Sequence, residues 1–155
     1  MEHRIGDPGK GSYTDRQSKK IVIDSTVRDD PVTTVELLSH EAGHASYDGK
    51  TIGPYSSTNE CVNDHLTDEG AATLNNIVVE HEITENRGPD IGVAGENPDV
   101  APSWNAAYDD YRKAGSTPEA YQHAIARIGA YYGDNLHPST APDKTYRQYY
   151  QDSCK

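Results

Sequence analysis

The chain has 155 residues, enough for a single domain with a useful core, and a formal net charge of −11. An acidic chain with no basic stripe disfavours nucleic acid as a partner, because phosphate contacts require clustered Lys or Arg. Hydrophobic residues make up only 34% of the sequence, with eleven Tyr and no Phe, so Tyr is expected to supply the aromatic packing, and no apolar run is long enough for a membrane span.

The N-terminal part of the chain predicts a flexible start followed by a small sheet. Residues 1–10 are polar and are expected to be flexible, and the first six lack the apolar core of a signal peptide. A short strand at residues 11–14 is expected to pair with a β-branched strand at residues 20–24. The whole chain, residues 1–155, is expected to form one domain.

A helix is predicted over residues 31–47. Asp30 suits the N-cap, and Pro31 suits the first helical position, where its missing N–H is not needed. Apolar residues then recur at helical spacing and predict a core-facing stripe, namely Val32, Val35, Leu38, Ala42 and Ala45.

The second half of this helix carries the motif H-E-x-x-H, residues 40–44. His40 and His44 are four residues apart and project from one helix face, so both imidazoles can reach one metal ion. Glu41 lies beside them, where it can act as general base on water activated by that ion. The sequence therefore predicts a Zn²⁺ site with His40 and His44 as ligands and Glu41 as the catalytic residue.

A second helix is predicted over residues 58–84, after a loop at residues 48–56. Ser57 and Glu60 form a capping box, and an interruption near Thr67 or Gly70 is left open. Its apolar positions define one stripe, namely Cys61, Val62, Leu66, Ala72, Ile77, Val79 and Ile83. Glu69 falls near the middle of that stripe, where a buried carboxylate is costly unless it is paired or bound to a metal.

Glu69 is therefore the predicted third zinc ligand. A third histidine ligand ten residues after His40 is excluded. That arrangement requires Gly at position 47 and His at position 50, where this sequence has Tyr47 and Lys50. His65, one turn before Glu69, is the best other ligand, and an ordinary salt bridge at Glu69 also stays open. Glu80 lies roughly 16 Å further along the axis and cannot share an ion with Glu69.

The C-terminal half predicts shorter helices separated by loops. A loop at residues 88–102 precedes a helix at 104–114, and a helix capped by Thr117 runs to Tyr132, with Gly133 as the residue after its end. A loop at 135–144 and a helical turn at 146–150 follow. Cys61 and Cys154 are either bridged, which is favoured because a staple is useful at the terminus, or two reduced thiols.

A residue that stabilises the reaction's oxyanion is not assigned. Side chains able to donate a hydrogen bond there are His81, His123, Tyr131, Tyr132 and His137.

The motif with Asp68-Glu69-Gly70-Ala71-Ala72 resembles the gluzincin branch of zinc metallopeptidases. The resemblance implies an α+β, zincin-like fold that is mostly helical with a small N-terminal β-sheet, and a zinc-bound helical glutamate. Asp68 replaces the Asn of the aminopeptidases in that branch. Thr73 stands where thermolysin-like enzymes have an Asp that orients a zinc histidine, so that role has no assigned residue.

A closer resemblance is to the C-terminal metallopeptidase toxin domains of VgrG, PAAR and Rhs proteins of type VI secretion systems. It is carried by residues 69–86 with the following Gly88-Pro89, and by Tyr-Arg-x-Tyr-Tyr at residues 146–150. It implies an antibacterial effector delivered to the periplasm of a target bacterium, a protein or peptide substrate and a cognate immunity protein. A zinc amidase acting on cell-wall peptides is one alternative. A non-catalytic, metal-stabilised binding module is another, which the intact Glu41 disfavours.

Overall fold

The computed structural model describes residues 1–50 and 53–155, so residues 51 and 52 of the predicted loop lie outside the described residues. The described chain is mixed α+β, with a small N-terminal sheet followed by helices, as predicted. Its elements are the strands β1 (Glu2–Ile5), β2 (Tyr13–Asp15) and β3 (Lys20–Ile23) and the helices α1 (Pro31–Ser46), α2 (Thr58–Glu85), α3 (Ala101–Lys113), α4 (Pro118–Asn135) and α5 (Tyr146–Ser153).

The sheet has the order β1-β3-β2, with β1 parallel and β2 antiparallel to the buried central strand. Within the segment that the sequence predicted to be flexible, Glu2–Ile5 forms β1 and pairs along all of β3. All four β1 side chains are exposed, so the alternation that marks a half-buried strand is missing from its sequence. The predicted strand at residues 11–14 lies at Tyr13–Asp15.

Helix α1 begins at Pro31, where the Asp30 carboxylate accepts hydrogen bonds from the backbone N–H of Val32 and Thr33. The predicted core-facing stripe of this helix was wrong for Val32 and Val35, which are 37% and 36% exposed, whereas Leu38, Ala42 and Ala45 are half-buried. The residues that α1 buries instead belong to the motif and the position before it, namely Ser39, His40, Glu41 and Gly43. The polar face of the helix therefore points into the protein.

Helix α2 is the central element and packs against both α1 and α4. It is continuous from Thr58 to Glu85, without the interruption that the sequence left open. A Cβ atom on Gly43 of α1 would lie 2.5 Å from Ala72 Cα. On the other side of α2, a Cβ atom on Gly70 would lie 1.9 Å from the carbonyl oxygen of Ile125 in α4. Glycine at these positions lets three helix backbones pack closely.

The main core lies between α2, α3 and α4, around the fully buried Trp104. Helix α3 starts three residues earlier than predicted, and α5 extends three residues further. The predicted end of α4 before Gly133 was wrong: the helix continues to Asn135. Gly133 serves packing, since a Cβ atom there would lie 2.7 Å from the Leu66 side chain. None of the described helices is long and apolar enough to cross a membrane.

Candidate metal centre

The structure brings His40, His44 and Glu69 together where α1 crosses α2. Glu69 Oε2 lies 3.8 Å from Nε2 of His40 and 3.6 Å from Nε2 of His44. One ligand atom from each residue lies within 4.8 Å of the other two. The close packing at Gly43, inside the motif itself, allows this convergence because a larger residue would hold the two helices apart.

The two distances from Glu69 Oε2 to the histidines fit a zinc ion. Tetrahedral zinc with bonds of about 2.1 Å places neighbouring ligand atoms about 3.4 Å apart. The two separations from Glu69 Oε2 are close to that value. Two imidazoles and one carboxylate are also a donor set that catalytic zinc sites use, with a fourth position open to water.

Asp68 orients His44 from behind the site. Its Oδ1 lies 2.9 Å from His44 Nδ1, which leaves Nε2 directed toward Glu69. Arg16 donates to the same Asp68 oxygen at 2.6 Å and to the backbone carbonyl of His44. A carboxylate on the outer nitrogen is the usual support of a metal-ligating histidine. Sequence reasoning looked for this support at Thr73, four residues after Glu69, and missed the residue directly before it.

The same contacts set the charge of His44. Burial alone would lower the pKa of His44, but the hydrogen bond to Asp68 and the negative charges of Glu69 and Asp68 raise it to about 9. His40 differs from His44, since its Nδ1 atom is buried and has no hydrogen-bond partner among the described residues. The second histidine of the motif is therefore the one that a carboxylate holds in place.

Glu41 is buried beside these residues and is held by the sheet. Thr14 Oγ1, on β2, lies 2.8 Å from Glu41 Oε2 and 2.8 Å from the Glu41 backbone oxygen. The hydroxyl carries one proton and can donate to one of these oxygens at a time. Pairing of β2 with β3 thus places a donor that fixes the orientation of the carboxylate.

Tyr150, on α5, contacts Glu69 from the opposite side. Its hydroxyl donates to Glu69 Oε1 at 2.7 Å. Burial would raise the pKa of Glu69, but the adjacent His40 and His44 and the Tyr150 hydroxyl lower it to about 2. Burial and the charge of Glu69 raise the pKa of Tyr150 well above its ordinary value, so this residue stays a donor at neutral pH.

Sequence reasoning missed Tyr150 because 81 residues separate it from Glu69. One signal was available. The favoured disulfide between Cys61 and Cys154 is present, and it ties a residue four positions after Tyr150 to the helix that carries Glu69. Following that bridge back along the chain would have brought Tyr150 to the site.

These side chains line a cavity of about 310 Å³ that also includes Tyr13, Tyr132 and Tyr146. Of the possible oxyanion donors, Tyr132 lines this cavity. Tyr131 and His137 are exposed, His81 stacks on Tyr108, and His123 lines a separate cavity between α3 and α4. Burial raises the pKa of Tyr132 and of Tyr146, so both phenols are donors rather than anions.

The alternative third ligands lie elsewhere. His65 stacks on Tyr150, with ring centroids 4.8 Å apart, and its ligand atom lies near the bridged Cys61 and Cys154. Glu80 pairs with His81 at 3.8 Å and lines a different cavity. The geometry thus favours Glu69 over both.

Comparison with known proteins assigns the chain to no family. No protein-family model matches it, and searches of curated proteins and of solved structures found no significant match. Function is therefore inferred from the residues of the site and their geometry.

Proposed function

We propose that the protein is a zinc-dependent metallopeptidase, with His40, His44 and Glu69 as metal ligands and Glu41 as general base. The observation that carries the proposal is the convergence of three ligand atoms within 4.8 Å in a cavity that Glu41 also lines. A purely structural zinc site would tend to close with a fourth protein ligand and needs no base.

Zn²⁺ held by these residues would supply a Lewis acid that polarises a substrate carbonyl and lowers the pKa of water toward neutrality. Glu41 takes the proton of the attacking water on its carboxylate and delivers it to the leaving amine. Thr14 keeps that carboxylate directed into the cavity through its contact with Oε2. Asp68 holds the ring of His44 so that Nε2 faces the ligand position.

The place of action proposed from the resemblance to toxin domains is the periplasm of a target bacterium. An antibacterial effector of this kind has a cognate immunity protein as its partner. The Cys61–Cys154 disulfide supports this proposal, because disulfides form and persist in the periplasm and are rare in the cytosol. Expression in a bacterial host should be toxic when the domain is directed to the periplasm, and harmlessness in both compartments would contradict an effector role.

Metal analysis with paired glutamate variants tests the site. The purified protein should hold one zinc per chain, and Glu69→Ala should lose it. Glu80→Ala is the matched control on the same helix, outside the site, and should keep its zinc. Zinc retained in Glu69→Ala would place the third ligand elsewhere.

Peptidase assays on Glu41→Gln test the mechanism. This variant should keep its zinc and lose activity by about 10²–10⁴-fold, since loss of a positioned general base has an effect of this size. His40→Ala should lose both zinc and activity. Turnover by Glu41→Gln at the rate of the unmodified protein would contradict the mechanism. Cleavage of cell-wall peptides but not of a protein library would favour the zinc amidase.

A further inference from the structure

The C-terminal helix α5 decides which oxygen of Glu69 faces the histidines. Tyr150 donates to Oε1 at 2.7 Å, and the other oxygen, Oε2, is the one that lies 3.6–3.8 Å from the two Nε2 atoms. A carboxylate without this partner can rotate about its last torsion and exchange the two oxygens, because that torsion is broad. The hydrogen bond therefore presets the orientation in which Glu69 would bind a metal.

Helix α5 is held only partly by packing, through Tyr146, which lies partly buried against the main core and contacts Tyr132. It is eight residues long, and none of them is fully buried. A helix of this length is marginal unless tertiary contacts hold it. Near its start, Arg147 pairs with Asp134 of α4 at the protein surface.

The disulfide holds the other end of α5. Cys154 immediately follows the helix, one turn after Tyr150, and is bonded to Cys61. Cys61 lies in the first turns of α2, two helical turns before Glu69 on the same helix. The bridge thus connects the helix of the donor directly to the helix of the acceptor. Between them, the ring of His65 stacks on that of Tyr150 at 4.8 Å.

We propose that Tyr150 is a positioning residue for Glu69 and that the Cys61–Cys154 disulfide holds it there. The affinity of the site for zinc then depends on the bridge. This inference rests on the proposed metal site. The proposed site is then complete only in an oxidising compartment, and a chain with reduced cysteines binds zinc more weakly at His40, His44 and Glu69.

The test is a thermodynamic cycle of zinc affinities, measured by competition with a chromophoric chelator. Its four proteins are the unmodified chain, Tyr150→Phe, the double variant Cys61→Ser/Cys154→Ser, and the combination of all three changes. Tyr150→Phe should weaken binding about 10–100-fold, as removal of a metal ligand's hydrogen-bond partner does. The double serine variant should weaken it similarly, and the combination should add little, because both changes remove one interaction.

Tyr149→Phe is the matched control, since it removes the same atom from the exposed neighbouring residue and should leave the affinity unchanged. Serine variants are preferable to a reductant. The ligand atoms of Cys61, His65 and Cys154 lie within 4.8 Å of one another, so free thiolates there would themselves bind zinc.

Spectra of the Co²⁺-substituted protein separate positioning from general loosening of the fold. Tyr150→Phe should shift the visible bands, which report coordination by Glu69, while Tyr149→Phe should not. Unchanged zinc affinity and unchanged bands in Tyr150→Phe would overturn the proposal, and so would additive losses in the cycle. If the serine variants do not fold, the comparison of Tyr150→Phe with Tyr149→Phe still tests the positioning role of Tyr150. The role of the disulfide is then tested by releasing α5 thermally.

In this thermal test, hydrogen exchange of α5 is followed in the disulfide-bonded protein on warming, and zinc affinity is measured at each temperature. Affinity should fall as α5 loses protection, and affinity that persists after α5 is released would overturn the role of the bridge.

Failure of this inference is distinct from failure of the proposed function. A protein whose zinc affinity depends on Tyr150 but that cleaves no peptide would refute the peptidase and leave this inference standing.

Discussion

Zinc binding should release a proton from His44, and Asp68→Asn should reduce that release. In the metal-free protein the pKa of His44 is about 9: burial alone would lower it, but the hydrogen bond to Asp68 and the nearby negative charges raise it. A histidine must be neutral to bind a metal. At pH 7 the ion therefore has to displace a proton from His44.

The size of this effect follows from the distance between pH 7 and the pKa. A pKa of about 9 lies about two units above pH 7. At 1.36 kcal/mol per unit this corresponds to about 2.7 kcal/mol, or about a 100-fold loss of apparent affinity. Affinity should rise about tenfold per pH unit from pH 7 and level off near pH 9. Glu69, whose pKa is about 2, is already ionised and releases no proton in this range.

Asp68→Asn keeps an oxygen acceptor for His44 and Arg16 but removes the negative charge. Two opposite effects follow. The pKa of His44 falls, so less proton competition strengthens binding at pH 7, while loss of the carboxylate behind the ligand weakens binding about 10–100-fold. Near pH 9 only the second effect remains. The variant should therefore bind zinc about 10–100-fold more weakly at pH 9, and the difference should shrink toward pH 7.

Titration calorimetry at pH 7, in two buffers that differ in ionisation enthalpy, measures the protons released per zinc. Chelator competition from pH 6.5 to 9 measures the slope. Asp110→Asn is the control, because it makes the same charge change on α3 at an exposed pair with Arg127. Equal proton release and equal slopes in Asp68→Asn and the unmodified protein would refute the reasoning, and so would an affinity independent of pH between 7 and 9.

Three predictions concern stability and can be checked by urea denaturation. Gly43→Ala should lower the unfolding free energy by about 1–3 kcal/mol, because its Cβ would lie 2.5 Å from Ala72 Cα; an unchanged midpoint would contradict the close packing. Cys61→Ser/Cys154→Ser should cost roughly 4–5 kcal/mol, from the chain entropy of a bridge with a sequence separation of 93, and a loss below about 1 kcal/mol would count against it. Asp24 accepts four hydrogen bonds that hold its pKa below the ordinary value. Its contribution to stability should be present above about pH 4 and be lost on acidification, a loss that Asp24→Asn should lack.

Patterns within each helix predicted the parts of the site that α1 and α2 each carry. The capped start of α1 and the four-residue spacing placed His40 and His44 on one face, and the position of Glu69 within an apolar stripe marked a carboxylate with no ordinary reason to be buried. Residues that reach the site from distant segments carry no such pattern. Thr14 and Arg16 become neighbours of the motif through strand pairing, and Tyr150 through the packing of α5 and its disulfide.

The one prediction about the motif helix that was wrong is itself informative. Apolar spacing directed Val32 and Val35 to the core, yet α1 buries His40 and Glu41 instead. Burying ionisable groups costs stability unless they are paired. Such departures from the hydrophobic pattern concentrate at functional sites, where other contacts offset the cost.

Two kinds of contact offset that cost here. Thr14 lies within hydrogen-bond distance of the Glu41 carboxylate, and Asp68 of α2 pairs with His44. A cation, if bound by His40, His44 and Glu69 as proposed, would add to this, because ligand binding stabilises the folded state that it requires. The orientation of α1 therefore argues for the metal independently of the spacing of the motif. A helix evolved for packing alone would have turned its valines inward, and this one instead turns inward the face that a cation can stabilise.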